Sequence, residues 1–256
     1  GFLGLLPFFI YFEFNEIKKI NFNLKKVFFF TLILGSIFGM ANILQQVSLL
    51  YTDIANSAVF TVLYVVIVPL ISYFIFSIKI HPSIWPSVTL CLIGGLLLSE
   101  IKNYDVRFGD MLVIIGAFFW AFHIIFIYKV LKIFNFPIAI ATFQCLVAGI
   151  FCSFPALAFE TVTINLISKE ITELLYAGIL SSGVAFMLQA YAQRVLSPAS
   201  VAIIFSLEGV FASIFGWILL DQFLSEIKVF GIMIILLAVI FSQLIPIYGK
   251  KNYGRI

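Results

Sequence analysis

Long apolar runs separated by short polar clusters dominate the chain. A helix crossing the hydrocarbon core of a bilayer takes about 20 apolar residues. Eight runs reach or approach that length: 28–51, 54–78, 84–101, 110–130, 134–159, 174–192, 199–220 and 229–248. A shorter apolar stretch, 1–12, precedes them. It is too short to span and has no basic region ahead of it, so it does not read as a signal peptide. It reads instead as the end of a helix that starts further upstream. The longest polar stretches are 13–27, 100–110 and 160–173, which leaves no room for a soluble domain.

The apolar pattern repeats at an offset of 144 positions. Gly39 falls on Gly183, Ala41 on Ala185, Leu44 on Leu188, Gln45 on Gln189, Ala55 on Ala199 and Leu63 on Leu207. The two copies lie an odd number of helices apart, so they enter the membrane from opposite sides. An inverted repeat of this kind is an architecture of secondary transporters. The expected fold is therefore an all-α membrane protein, an inverted repeat of two five-helix bundles with ten helices when complete. The first helix and part of the second would then lie ahead of Gly1. The first repeat covers 1–101 and the second 102–256.

Composition turns the pattern into a class. Hydrophobic residues make up 63% and charged residues 11%, and mean hydropathy is +1.17. A soluble domain averages about 25% charged, so most of this chain lies in lipid. Alternation of the spans places Lys18, Lys19, Lys25, Lys26, Lys79, Lys129, Lys132, Arg194, Lys250, Lys251 and Arg255 on one side. The other side receives Lys102, Arg107, Lys169 and Lys228. The positive-inside tendency makes the richer side cytoplasmic, with the C-terminus on it. A bacterial inner membrane is the expected location. Cys91, Cys145 and Cys152 all lie in apolar spans without ligand spacing, as small packing residues do.

Small residues at helical spacing, Gly35 with Gly39 and Gly178 with Ser182, mark expected close crossings. Pro69, in mid-span, is a candidate kink or hinge.

Polar residues within the spans supply the candidate site. Glu208 is an acid deep in a span, where it costs about 2.5–3.5 kcal/mol unless protonated, paired or facing water. It reads either as a coupling carboxylate or as a group capping a broken helix. Asn42, Gln45 and Gln46 share one helix, and Gln189 and Gln193 share its repeat mate. Amides in lipid need partners, so these residues either line a pathway or bond between helices. Trp120 and His123 are three apart on one face, and Tyr64, with Asn56 and Thr61, lines another. Such surfaces hold amphipathic or cationic solutes. A neutral His123 bonded to a carbonyl is the structural alternative. Gln144 completes the set.

Lys and Arg are absent from the middle of every span. A pocket for a phosphorylated solute needs such a cation, so neutral, zwitterionic or cationic small molecules are expected. Nothing resembles a nucleotide-binding loop, a metal cluster or a nucleophile elbow. Neither a cofactor nor a nucleic-acid partner is expected. The energy source is then an ion gradient, with proton coupling through Glu208, or the solute's own gradient.

These residues resemble a known family. Gly109 and Asp110 followed by Ala117, Phe118, Phe119, Trp120 and Ala121 resemble the opening helix of an EamA domain of the drug/metabolite transporter superfamily. Ser57 and Ala58 leading to Leu63, Tyr64, Pro69 and Leu70 do so too. Tyr176 through Gln189, then Ala192, Gln193, Ser197, Pro198, Ser206, Leu207 and Glu208, are similar to a second such domain. The likeness covers essentially the whole chain. Two positions depart from it. Gly209 stands where the family has Pro, and Leu220-Asp221-Gln222 stands where it has a Gly-Glu-Arg-like turn. The resemblance implies ten helices around a central cavity, both termini in the cytoplasm, and movement of metabolites, amino acids or drugs.

The leading function is a secondary active transporter working by alternating access. An uncoupled facilitator of the same fold is the first alternative. An integral membrane enzyme acting on lipids would require an interfacial catalytic cluster. A purely structural membrane subunit would need neither an inward-facing amide set nor a buried acid.

Overall fold

The computed structural model describes residues 1–19, 24–82, 84–100, 107–161 and 163–252. Lys102 and Arg255 of the charge census lie outside them. All regular structure among the described residues is helical. This is what lipid demands, because a helix satisfies its own backbone groups where no water can.

Helices α1 (Phe2–Phe12) and α2 (Phe14–Lys19) lead into the long α3 (Leu24–Ser48). Next come α4 (Ile54–Val62), α5 (Tyr64–Phe74) and α6 (Ile84–Ser99). Helices α7 (Phe108–Ile133) and α8 (Pro137–Phe159) are long again. The short α9 (Ile164–Lys169) and α10 (Ile171–Leu175) precede a π-helical stretch, Tyr176–Val184, that runs into α11 (Ala185–Gln193). Helices α12 (Pro198–Phe205), α13 (Leu207–Leu220) and α14 (Glu226–Asn252) end the described chain.

All eight expected spans are present as helix. Seven of the resulting helices are long and apolar enough to cross a membrane. The eighth, α6, has 16 residues, a rise of about 24 Å. Two spans are interrupted. Asn56–Phe74 contains the junction of α4 and α5 at Leu63, and Pro198–Leu220 contains that of α12 and α13 at Ser206. The first interruption lies ahead of Pro69, which sits inside α5. A proline frees the carbonyl four residues before it, here that of Val65, so the interruption at Leu63 is separate from the kink expected of Pro69.

The chain divides into two compact units, each drawing on both halves of the sequence. Unit 1 is Gly1–Ile43 with Ile125–Leu196, and unit 2 is Leu44–Ile124 with Ser197–Ile256. In unit 1, Phe9, Leu34, Ile127, Ile140 and Ala190 form a buried core. Helix α3 crosses α8 at its glycines. A Cβ on Gly35 would run into Val147 and sit 2.9 Å from the Gln144 carbonyl oxygen, and one on Gly39 would sit 2.8 Å from Phe151. The second expected crossing is made by the start of α1 on the π-helical stretch: a Cβ on Gly178 would lie 3.6 Å from the Gly1 backbone nitrogen, and one on Gly1 would lie 3.1 Å from the Ser182 carbonyl oxygen.

In unit 2, α6 crosses α14 backbone to backbone. A Cβ on Gly94 would lie 2.6 Å from Ile235 Cγ1, and one on Gly231 would lie 2.8 Å from the Gly94 carbonyl oxygen. Val210, Ile232 and Ile235 close the core beside it. At the end of α6, Glu100 accepts from Ser225 Oγ and lies 3.6 Å from Lys228 Nζ. Ser225 also accepts from the Lys228 N–H, capping the start of α14. Helix α13 ends on Asp221 in the left-handed region (φ 49°), with the Gln222 N–H bonded to the Gly216 carbonyl at 3.2 Å. A non-glycine residue therefore carries the turn that replaces the family's glycine-containing one.

Candidate functional site

In unit 2 the candidate residues collect around the two helix interruptions. Leu63 ends α4, and Tyr64 opens α5 with only 5% of its surface exposed. Ser206 ends α12, and Glu208 lies in the first turn of α13. By the repeat offset Tyr64 and Glu208 are equivalent, so both copies place their distinguishing residue just after a break. The Glu208 carboxylate is close enough for its charge to act on the Tyr64 phenol. It has no hydrogen bond or ion pair among the described residues and is accessible yet crowded by protein. Ser206 keeps right-handed helical dihedrals (φ -60°, ψ -17°), so Glu208 sits beside a local distortion within the span Pro198–Leu220.

The break at Ser206 is held by side chains. Ser206 Oγ donates to the Ile203 carbonyl at 2.6 Å and lies 3.3 Å from Cys91 Sγ. The thiol expected as packing is thus also a hydrogen-bond partner of the interruption.

Two further candidates meet in the same unit. Trp120 Nε1 donates to Gln45 Oε1 at 3.0 Å. Trp120 also stands edge-on to His123, ring centroids 5.9 Å apart. The expected shared face is therefore real, and it reaches α3. His123 is fully buried and Trp120 only partly. Gln46 points away from this group and is exposed. Below, Asp110 begins α7 as a buried cap. It accepts from Thr52 Oγ1 and from the Arg107 N–H at 2.7 Å, while Arg107 pairs with Asp53 at 2.8 Å.

Unit 1 holds the remaining amides. Gln189 Nε2 donates to Gln193 Oε1 at 3.3 Å, and both side chains are buried. Gln189 Oε1 has no partner among the described residues. Gln144, on α8, is also buried. Asn42 is exposed and spends its amide on its own helix, donating to the Phe38 carbonyl at 2.8 Å. Asn42 and Gln46 are the weakest members of the set.

The same unit contains a carboxylate that the sequence pattern did not single out. Glu13, between α1 and α2, is 7% exposed. Its two oxygens accept from the Ile138 N–H (3.1 Å) and the Ala139 N–H (2.7 Å), the first free donors of α8. Burial pushes the Glu13 carboxyl above its usual range, opposed by these two N–H groups and by the Arg194 guanidinium. Nearby, a cleft of about 480 Å³ is lined by Leu131, Lys132, Asn135, Tyr191, Arg194 and Val195. None of the ten candidate residues lines it.

Spanning helices with polar groups turned inward define an all-α, multi-pass membrane protein. The model of the EamA-like transporter family matches residues 107–244. The chain belongs to that family, within the superfamily its motifs resemble. A protein of Archaeoglobus fulgidus described as an uncharacterized transporter is 32% identical over 200 residues, which is 78% of this chain. The chain spans 64% of that relative's length. One solved crystal structure of a protein matches with a TM-score of 0.69 at 14% identity, covering 82% of this chain and 76% of that one. At that identity the likeness concerns the fold alone.

Proposed function

We infer that the chain serves a secondary active transporter that moves small organic solutes across the cytoplasmic membrane by alternating access. The repeats 1–101 and 102–256 would be its two inverted halves, with the C-terminus in the cytoplasm. The observation that carries this reading is Glu208, an exposed acid in mid-span just past the local helix distortion at Ser206. Interrupted helices near the midplane are where transporters bind substrate and coupling ions. Tyr64, Trp120, His123 and Gln45 supply aromatic faces and hydrogen-bonding groups. Gln144, Gln189 and Gln193 supply buried amides, and the partnerless Gln189 Oε1 is an acceptor for a solute N–H or O–H. With a carboxylate present and no cation in mid-span, the solutes are neutral, zwitterionic or cationic: metabolites, amino acids or drugs. Protonation of Glu208 couples the cycle to the proton gradient.

Solute exchange in proteoliposomes tests this. The full-length protein is loaded with each member of a panel of amino acids, amines and sugar phosphates, and labelled solute is added outside. Accelerated exchange is expected for amines or zwitterions. Exchange of sugar phosphates alone, or of nothing in the panel, would overturn the reading.

A further inference from the structure

We propose that the unit 1 cleft binds the phosphate headgroup of an anionic membrane lipid. Its lining is unlike that of the candidate transport site. Lys132, in the last turn of α7, and Arg194, directly after α11, both reach its wall. Asn135 and Tyr191 add an amide and a phenol. A guanidinium donates in parallel to two phosphate oxygens, and an ammonium adds a point charge.

Each cation is steadied by an aromatic ring. Lys132 Nζ lies 5.1 Å from the Tyr128 ring centroid, and the Arg194 guanidinium carbon lies 5.9 Å from that of Tyr191. Such stacking holds a long side chain extended at little entropic cost. Lysine and arginine at helix ends also complement the helix dipole, but that role needs neither an intervening cleft nor two helices converging on it. Glu13 sharpens the distinction. It already occupies the free donors at the start of α8 and acts on Arg194 from the buried side. The anion site at that helix end is therefore filled from within. The lining itself holds two cations, Lys132 and Arg194, with the Glu13 carboxylate buried behind Arg194.

The occupant follows from where the cleft opens. Lys132 and Arg194 sit at the ends of the spans Phe108–Ile133 and Ile171–Gln193. Val195 in the wall is 85% exposed, and the neighbouring Ile133 is 50% exposed. Apolar side chains left open beside two cations and a tyrosine suit the boundary between acyl chains and headgroups. Basic pockets between helices at that depth bind anionic headgroups.

The test compares thermal unfolding of the full-length protein in nanodiscs of phosphatidylcholine alone and with added phosphatidylglycerol, and reads transport not at all. Phosphatidylglycerol is expected to stabilise the wild type. Lys132→Gln should weaken its apparent affinity about five-fold, and Lys132→Gln with Arg194→Gln about thirty-fold. A charge-matched control, Lys79→Gln with Lys169→Gln, should retain the wild-type preference. Lys132→Gln leaves Arg194 beside Glu13, so it remains informative if the double variant folds poorly. Inorganic phosphate in phosphatidylcholine nanodiscs should not stabilise. Equal stabilisation by inorganic phosphate would assign the cleft to a soluble anion and overturn the lipid assignment. A preference unchanged in Lys132→Gln, or reduced equally in the control, would overturn the site.

Discussion

Trp120 donates its indole N–H to Gln45 Oε1 at 3.0 Å, joining residues 75 positions apart and tying the C-terminal end of α3 to the middle of α7. The contact turns two separate sequence candidates into one element of unit 2. Interhelical hydrogen bonds in membranes are worth only about 0.6 kcal/mol on average. Trp120→Phe keeps most of the ring and removes the donor, so its expected cost in stability is below about 1.5 kcal/mol. If the pair also touches solute, the KM for exchange rises well beyond what that loss of folded protein explains. Melting temperature and KM measured on the same preparation separate the two effects.

Glu13 makes a pH-dependent prediction. Burial raises its folded-state pKa above the ordinary 4.5, mainly against the pull of the Ala139 and Ile138 N–H groups. The folded protein then binds more protons than the unfolded chain between those two values. Its stability therefore falls as pH rises from 4.5 through the raised pKa and levels off above it. Glu13→Gln keeps one acceptor oxygen and removes the titration. Unfolding of wild type and variant across pH 4–8, in about one-unit steps, should show a smaller slope in the variant. Parallel slopes would mean that the carboxyl titrates as it does in water.

The α6–α14 crossing predicts an asymmetric glycine scan. Gly94→Ala forces a methyl group to 2.6 Å from Ile235 Cγ1 and 2.9 Å from the Gly231 carbonyl oxygen. Overpacking of that kind costs about 1–3 kcal/mol. Gly149→Ala is the control, because a Cβ there meets nothing within 4 Å. In mid-helix it should be neutral or stabilise by up to about 1 kcal/mol. Urea or thermal unfolding in mixed micelles checks both.

The helices were legible in sequence because lipid leaves a backbone few choices, so length and apolarity suffice. The helix interruptions were not. Leu63 and Ser206 are neither proline nor glycine, and the break at Ser206 rests on a contact with Cys91 more than a hundred residues away. Two features pointed there: Glu208, read as a coupling carboxylate or as the cap of a broken helix, and the repeat offset that pairs it with Tyr64. Glu13 was missed because a lone acid ahead of a lysine run carries no period. A weaker signal existed at its partner. Pro137 marks a helix start, and Phe136 before it has no side chain able to cap, so α8 needed an acceptor from elsewhere in the chain.

The most direct test of coupling is solute uptake into proteoliposomes at fixed membrane potential, with and without an imposed proton gradient, for wild type and Glu208→Gln. Uptake by the wild type should follow the gradient. Glu208→Gln should still exchange labelled for unlabelled solute but lose the gradient's effect, because its amide cannot carry the proton. Unchanged gradient dependence in Glu208→Gln would contradict the role assigned to Glu208 and leave a carrier coupled through another group.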